Sequence, residues 1–379
     1  MTTSRPDLIA AIASSVRLAS TQALDLSFNE LMDMWESGEL DITPDYQRLF
    51  RWTDGQQSRF IESLLLEMPV PPIFVIEEEE GRYQLIDGLQ RISSYLHFRG
   101  KLSAPHLDSP VAPGHMLELA GCDIVPELNG WTYDALPTAL QIRLKRAFIR
   151  VEVIRKETDA RFKYHMFRRL NTGGEVLSEQ QVRNATIRLL DRRFPDFVIA
   201  MSGVPSFKAT TEYLSEERRL SAFDQELVVR FFALKNRRER FRHEVAEFLT
   251  DFMEGVADPG RAEPFDYPAE ETRFRQTFDA LSAALGEYAF AFANRTRSTL
   301  SGGFSIYHFE AITIGLQAVL DRISLADQSA TQRLGDVLRA VKLNPDFIRL
   351  TTGGGKNSPG PLNDRINFVV AKLTDAFPG

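Results

Sequence analysis

The chain has a single cysteine, Cys122, among its 379 residues. That excludes an intrachain disulfide framework and fits a reducing compartment. Cys122 sits in a loop-rich stretch with no activating neighbour and reads as structural. No apolar run approaches the roughly 18 residues a membrane-spanning helix needs. Asp7 falls where an export signal would be most apolar, so the expected location is the cytoplasm, with no membrane partner. The six histidines are His97, His106, His115, His165, His243 and His308, and none pairs with Cys or another His at metal-ligand spacing. The HExxH, GxSxG and His-Asn-His nuclease patterns do not occur. Basic charge is not in surplus either. The net charge is −7, with 45 Lys and Arg against 52 Asp and Glu, which leaves only a local basic surface for nucleic acid. Any catalysis has to rest on arginines, backbone amides and a carboxylate, a chemistry suited to phosphates.

What is present is enough for two domains with substantial cores. Most of the 27 Phe residues are needed to fill them. The most informative stretch runs from Ile73 to Arg99. The apolar run Ile73 to Ile76, an acidic turn ending at Gly81, and a second apolar run from Tyr83 to Ile86 predict a hairpin. Asp87-Gly88-Leu89-Gln90-Arg91 follows at once. Ile92, Tyr95, Leu96 and Phe98 then recur at helical spacing. A strand therefore turns sharply into a helix, whose free N-terminal amides and early arginine suit a phosphate. The same residues also suit a plain βα turn with a solvated arginine.

Two further stretches carry chemistry. In Asp41 to Trp52, Pro44 favours extended backbone, and Tyr46, Gln47, Arg48, Arg51 and Trp52 crowd cations, an amide and aromatics together. They suit a lobe of a ligand pocket, or a loop whose rings cover the core. Asn171-Thr172-Gly173-Gly174 follows a helix expected over Asp159 to Leu170. A helix C-cap explains one of its glycines, and two can present amides to an anion. Thr53 with Gln56 and Ser178 with Gln181 have capping-box spacing, and Leu177 with Val182 fits a hydrophobic staple.

Elsewhere, residues 1–20 read as a short helix or tail, and Leu26 to Trp35 as a helix stopped by Gly38. Residues 101–137 read as a loop-rich insertion whose end is pinned by Trp131 and Tyr133. Leu140 to Phe148 reads as a helix and Ile149 to Ile154 as a third strand. Beyond residue 190 the pattern is helical only, with Ser221-x-x-Asp224 starting one helix. The basic run Arg237, Arg238, Arg240 and Arg242 reads as a solvated face, with nucleic acid as the sharper alternative. Thr351-Thr352-Gly353-Gly354-Gly355-Lys356 is not a Walker A motif, because Leu350 replaces its first glycine and Asn357 follows the lysine.

PDYQRLFRW, IDGLQR and FRRLNTGGEVLSEQQVRNA, in this order, resemble the N-terminal domain family of GmrSD-type modification-dependent restriction endonucleases. The resemblance runs from about residue 24 to 190, and RRLSAFDQELVVRFFA looks like the family's helical region. It implies an α+β chain: a ParB/sulfiredoxin-like nucleotide-binding domain over 1–190 and an all-α domain over 191–379. By position, Asp87, Gly88, Gln90 and Arg91 fall on the family's DGQQR motif, Tyr46, Gln47 and Arg48 on its YQR element, and Asn171 to Gly174 on its NTGG element. The implied roles are catalysis for Asp87, Gln90 and Arg91, with Asp87 also holding Mg2+. Nucleotide binding is implied for Tyr46, Gln47, Arg48, Arg51, Gly88, Arg91, Asn171, Thr172, Gly173 and Gly174.

Leu89 stands where the family has Gln, which bears on hydrolysis more than on binding. The His-containing nuclease domain of DNA-cutting members has no counterpart here, so no cleavage by this chain alone is expected. The function implied is an NTP-binding, NTP-hydrolysing, Mg2+-dependent regulatory or sensor subunit of an anti-phage or restriction system. Its partners would be nucleotide, DNA, a separate nuclease or toxin subunit, and further copies of itself. The alternative is a non-enzymatic, antitoxin-like module that binds such a nuclease or toxin.

Overall fold

The computed structural model describes residues 20–42, 52–79, 81–104, 110–158, 178–188, 190–242, 244–258 and 264–378, with Leu8, Ile9, Ile12, Met166 and Gly260 besides. The chain divides into two compact units, residues 1–176 and 177–379. The first contains a five-stranded mixed sheet and the second is almost wholly helical, so the α+β expectation holds.

In the first unit, β1 (Thr21–Ser27) precedes α1 (Phe28–Glu36) and the two-residue β2 (Leu40–Asp41). The long α2 (Asp54–Leu65) leads to β3 (Ile73–Glu79), β4 (Arg82–Asp87) and α3 (Leu89–Phe98). After the insertion come α4 (Thr138–Arg146) and β5 (Phe148–Ile154). The strand order is β1-β5-β3-β4-β2. The β1–β5 and β3–β4 pairs are antiparallel, and β5–β3 and β4–β2 are parallel. The hairpin and the third strand fall where the alternation placed them. Ile149, Val151 and Val153 point into the core, while Phe148 and Arg150 face out.

β1 and β2 correct the sequence reading. The stretch read as a helix from Leu26 begins as a strand, and the helix starts at Phe28 with the Ser27 hydroxyl accepting from the Glu30 amide. β1 is an edge strand, so only Leu24 and Leu26 reach the core and the alternation that marks a strand is short. The Thr53 capping box is present, with side chain and backbone bonded in both directions to Gln56.

The insertion is stitched to α2. The Glu62 carboxylate, buried in the helix, accepts the amides of Ile124 and Val125 at 3.1 and 2.6 Å. The Ser58 hydroxyl accepts the Ala120 amide at 2.8 Å. Tyr133 is buried edge-on against Phe98, as expected of a pin. Trp131 is instead half exposed, and its indole N–H reaches only the nearby Glu127 carbonyl. Burial pushes the Cys122 thiol up to about 11, so it is inert at neutral pH.

The second unit opens with α5 (Glu179–Ile187), whose Ser178–Gln181 capping box is also present. Leu177, the other half of the expected staple, and the helix expected over Asp159 to Leu170 lie outside the described residues, apart from Met166. Then come α6 (Arg193–Ser202), α7 (Pro205–Thr210), α8 (Glu216–Leu220) and α9 (Phe223–Arg237). Ser221 does not start α9. It ends α8, its hydroxyl donating to the Arg218 carbonyl, and Ala222 in a left-handed conformation opens α9. α10 (Val245–Ala257), α11 (Tyr267–Leu285), α12 (Ile306–Leu316), α13 (Gln328–Leu343), α14 (Pro345–Thr351) and α15 (Pro359–Ala376) complete the unit.

Its core is aromatic, with Phe231, Phe232, Phe274 and Phe278 packed ring to ring. A buried ion chain crosses it: Arg183–Glu226 at 2.7 Å, Glu226–Arg230 at 2.9 Å, Arg230–Glu310 at 2.6 Å, and then Glu310–Arg365.

Candidate functional site

The site grows from one glycine. Gly88 closes β4 and opens α3 with φ +106°, a conformation that L side chains rarely adopt. A Cβ there would lie 2.3 Å from Ile73 Cγ2 and 2.9 Å from Ile73 Cβ, so the turn is also pressed onto β3. The tight turn sets Asp87, the last residue of the strand, beside Arg91 in the first turn of the helix. Arg91 Nη2 donates to Asp87 Oδ2 at 2.6 Å and to the Pro72 carbonyl at 3.3 Å. The arginine side chain is only 14% exposed, against 36% for the carboxylate. Arg91 Nε is buried and makes no hydrogen bond. Among the described residues no side chain caps the N-terminus of α3. The turn therefore holds a part-buried ion pair, an unused guanidinium donor and uncapped helix amides together.

Leu89 is part-buried and packs against the core. Gln90 and Arg91 beside it are both engaged. Gln90 Oε1 accepts the backbone amide of Trp52 at 3.1 Å. Trp52 follows Arg51 directly in the chain, so the described end of the aromatic and cationic stretch rests on the turn. Its carbonyl accepts from Gln57 Nε2 at 2.9 Å, and its ring meets Phe60 edge-on. Gln57 is 2% exposed, and its Oε1 lies 2.8 Å from Nδ1 of the buried His97. Since Gln57 Nε2 already donates to Trp52, its oxygen must accept, which assigns the proton to His97 Nδ1. His97 Nε2 is then an acceptor and faces His115 Nδ1 at 3.4 Å. Burial, more than any neighbouring charge, pushes His97 down to about 4, so it is neutral at physiological pH.

Of the residues singled out from sequence, Asp87, Gly88, Gln90 and Arg91 thus stand together on one turn. Tyr46, Gln47, Arg48, Arg51, Asn171, Thr172, Gly173 and Gly174 lie outside the described residues. Gln57 and His97 escaped the sequence reading. They are 40 residues apart, and nothing local marks a glutamine on a helix as a clamp.

A groove of about 890 Å³ opens on the same unit, lined by Met68, Ile142, Arg143, Arg146, Phe148 and Arg150 among others. Among the described residues no motif residue lines it, and Asp87, Gly88, Gln90 and Arg91 lie away from it. Among the described residues no three His, Cys, Asp or Glu side chains come together to hold a metal. Magnesium needs no such cage, since one or two carboxylates with phosphate and water oxygens complete its shell. Asp87 fits that part.

Residues 28–188 match the family model described as GmrSD restriction endonuclease, N-terminal domain. No curated protein and no solved structure matches the chain. The matched span begins at the first residue of α1, includes the whole β3–β4–α3 turn, and ends just after α5.

Proposed function

We propose, from the match of residues 28–188 to the GmrSD restriction endonuclease N-terminal domain family, that the chain binds and hydrolyses a nucleoside triphosphate as the regulatory or sensor subunit of a restriction or anti-phage system. It works in the cytoplasm with a separate nuclease or toxin subunit and with DNA. The observation that carries the reading is the Asp87–Arg91 pair on its left-handed turn, next to an unused Arg91 Nε and uncapped helix amides.

A phosphate entering this turn offers Arg91 a doubly charged partner in place of Asp87, together with the α3 amides. The displaced Asp87 carboxylate is then available for Mg2+ or to orient water. The ion supplies charge neutralisation along the phosphates when bound. Arg48, Arg51, Tyr46, Gln47, Asn171 and the amides of Thr172, Gly173 and Gly174 complete the pocket in this proposal. The test is phosphate release and thermal stabilisation with each of the four NTPs, with and without Mg2+ and DNA. The reading requires an upward melting shift in the wild type that Arg91→Ala loses. No shift with any NTP removes it.

One observation favours a second reading, that of a non-enzymatic module restraining a nuclease or toxin. Leu89 is part-buried against the core where the family has a polar side chain, and Gln90 Oε1 is committed to Trp52. A nucleotide-induced shift without phosphate release selects this reading.

A further inference from the structure

We propose that Gln57 and His97, which lie in none of the motifs, are positioning residues: they hold Trp52 so that its amide fixes Gln90 on the nucleotide turn. The proposal rests on the nucleotide reading for what the turn binds, but the clamp itself stands on geometry. The Trp52 peptide is gripped from both sides, by Gln90 at 3.1 Å through its N–H and by Gln57 at 2.9 Å through its carbonyl. Gln57 cannot swing away, because its other amide atom is held at 2.8 Å by His97 and both side chains are almost fully buried.

Two features argue for placement rather than general cohesion. The chain of bonds joins α2, through Gln57, to both ends of α3, through His97 and Gln90, and it converges on a single peptide. Its polarity is also fixed throughout. His97 must donate for Gln57 to accept, and Gln57 must donate for the Trp52 carbonyl to be satisfied. Burial keeps the His97 ring neutral across the neutral range, and the Gln57 oxygen holds its one proton on Nδ1. A buried, one-directional chain of this kind specifies position better than an apolar contact, because a shifted Trp52 leaves buried donors unmet.

The experiment compares the wild type with Gln57→Leu, His97→Leu and His97→Asn. Asparagine keeps a donor near the place of Nδ1. Two readouts are taken at a temperature where circular dichroism shows every variant folded: ATP, GTP, CTP and UTP affinity by titration, and hydrogen exchange at the Trp52 amide. Loss of the bond is expected to weaken affinity by about tenfold in both leucine variants and to speed Trp52 exchange, with His97→Asn within about twofold of wild type. Leucine variants that melt lower yet bind and exchange like wild type overturn the proposal, since the two residues are then merely structural. A wild type that binds no NTP, with Trp52 exchange still accelerated in the leucine variants, removes the nucleotide reading and leaves the clamp standing.

Discussion

Replacing Gly88 with alanine should be among the costliest small changes in the first unit. Two penalties add. A non-glycine residue held in the left-handed region costs about 1–2 kcal/mol. The new methyl would lie 2.3 Å from Ile73 Cγ2. Ile73 is fully buried on β3, and overpacking of this kind costs about 1–3 kcal/mol. The sum is roughly 2–5 kcal/mol, or about 4–20 °C in the melting of a domain of this size. Two companion variants separate the terms. Gly88→Asn tolerates the backbone conformation but keeps the clash, so it should recover about 1 kcal/mol. Ile73→Ala removes the near methyl at its own cavity cost of about 2–5 kcal/mol. In the double variant the two losses should fall short of additivity by about 1–2 kcal/mol. Urea denaturation followed by circular dichroism measures the four variants beside the wild type. A Gly88→Ala protein as stable as wild type would refute the turn geometry, and strict additivity would refute the contact with Ile73.

Four further outcomes follow from the same physics. Arg91→Ala should cost about 1–2 kcal/mol of apo stability, the part-exposed Asp87 being screened by solvent, and should abolish the nucleotide-induced shift; differential scanning fluorimetry reads both. Glu310→Gln leaves Arg230 and Arg365 without their shared buried partner, so urea denaturation should show about 3–5 kcal/mol lost from the helical unit. Lys342 is buried with only the carbonyls of Tyr288 and Ala289 for partners, and burial pulls it down to about 7 from 10.5. Because its folded basicity is depressed, the stability it gives grows as pH rises from 7 toward 10.5 and is lost as pH falls through 7. The steepest slope is about 1.4 kcal/mol per pH unit. Lys342→Met should flatten that slope in denaturation at pH 7, 8 and 9, and equal slopes would sink the argument. Finally, the purified chain should leave plain and modified plasmid supercoiled with Mg2+ or Mn2+. Both ring nitrogens of His308 are committed, to the Ala291 carbonyl and the Thr351 hydroxyl, and nicking that co-purifies with the protein would contradict this.

The parts of the fold legible in the sequence were those written in local pattern. The β3–β4 hairpin, the Asp87-Gly88 turn and both capping boxes depend on residues within a few positions of one another, and each appears where its spacing placed it. β1 was not legible, because an edge strand buries little and carries only a brief alternation. Ser221 was misread because a serine three residues before an aspartate also suits the end of one helix abutting another. At the site, the sequence singles out Asp87 and Arg91 and leaves open whether they pair with each other, which depends on how tightly Gly88 turns. The Gln57–His97 clamp was invisible for a different reason. It joins positions far apart in the chain, and neither has a composition or periodicity that sets it apart from an ordinary helical residue.

The ion chain from Arg183 to Arg365 has a consequence for how this protein can change over generations. Three buried guanidinium groups share the buried Glu310 carboxylate and the part-buried Glu226 carboxylate, so each interior member is answerable to two neighbours. A single substitution at Glu226 or Glu310 takes a carboxylate from two guanidinium groups at once, leaving Arg230 with one of its two, while replacing the whole row by apolar side chains costs far less. Every one-step path away from the present arrangement therefore descends before it can climb. The five positions form an epistatic block that is inherited or lost together, and the helices that carry them are bound to vary around it.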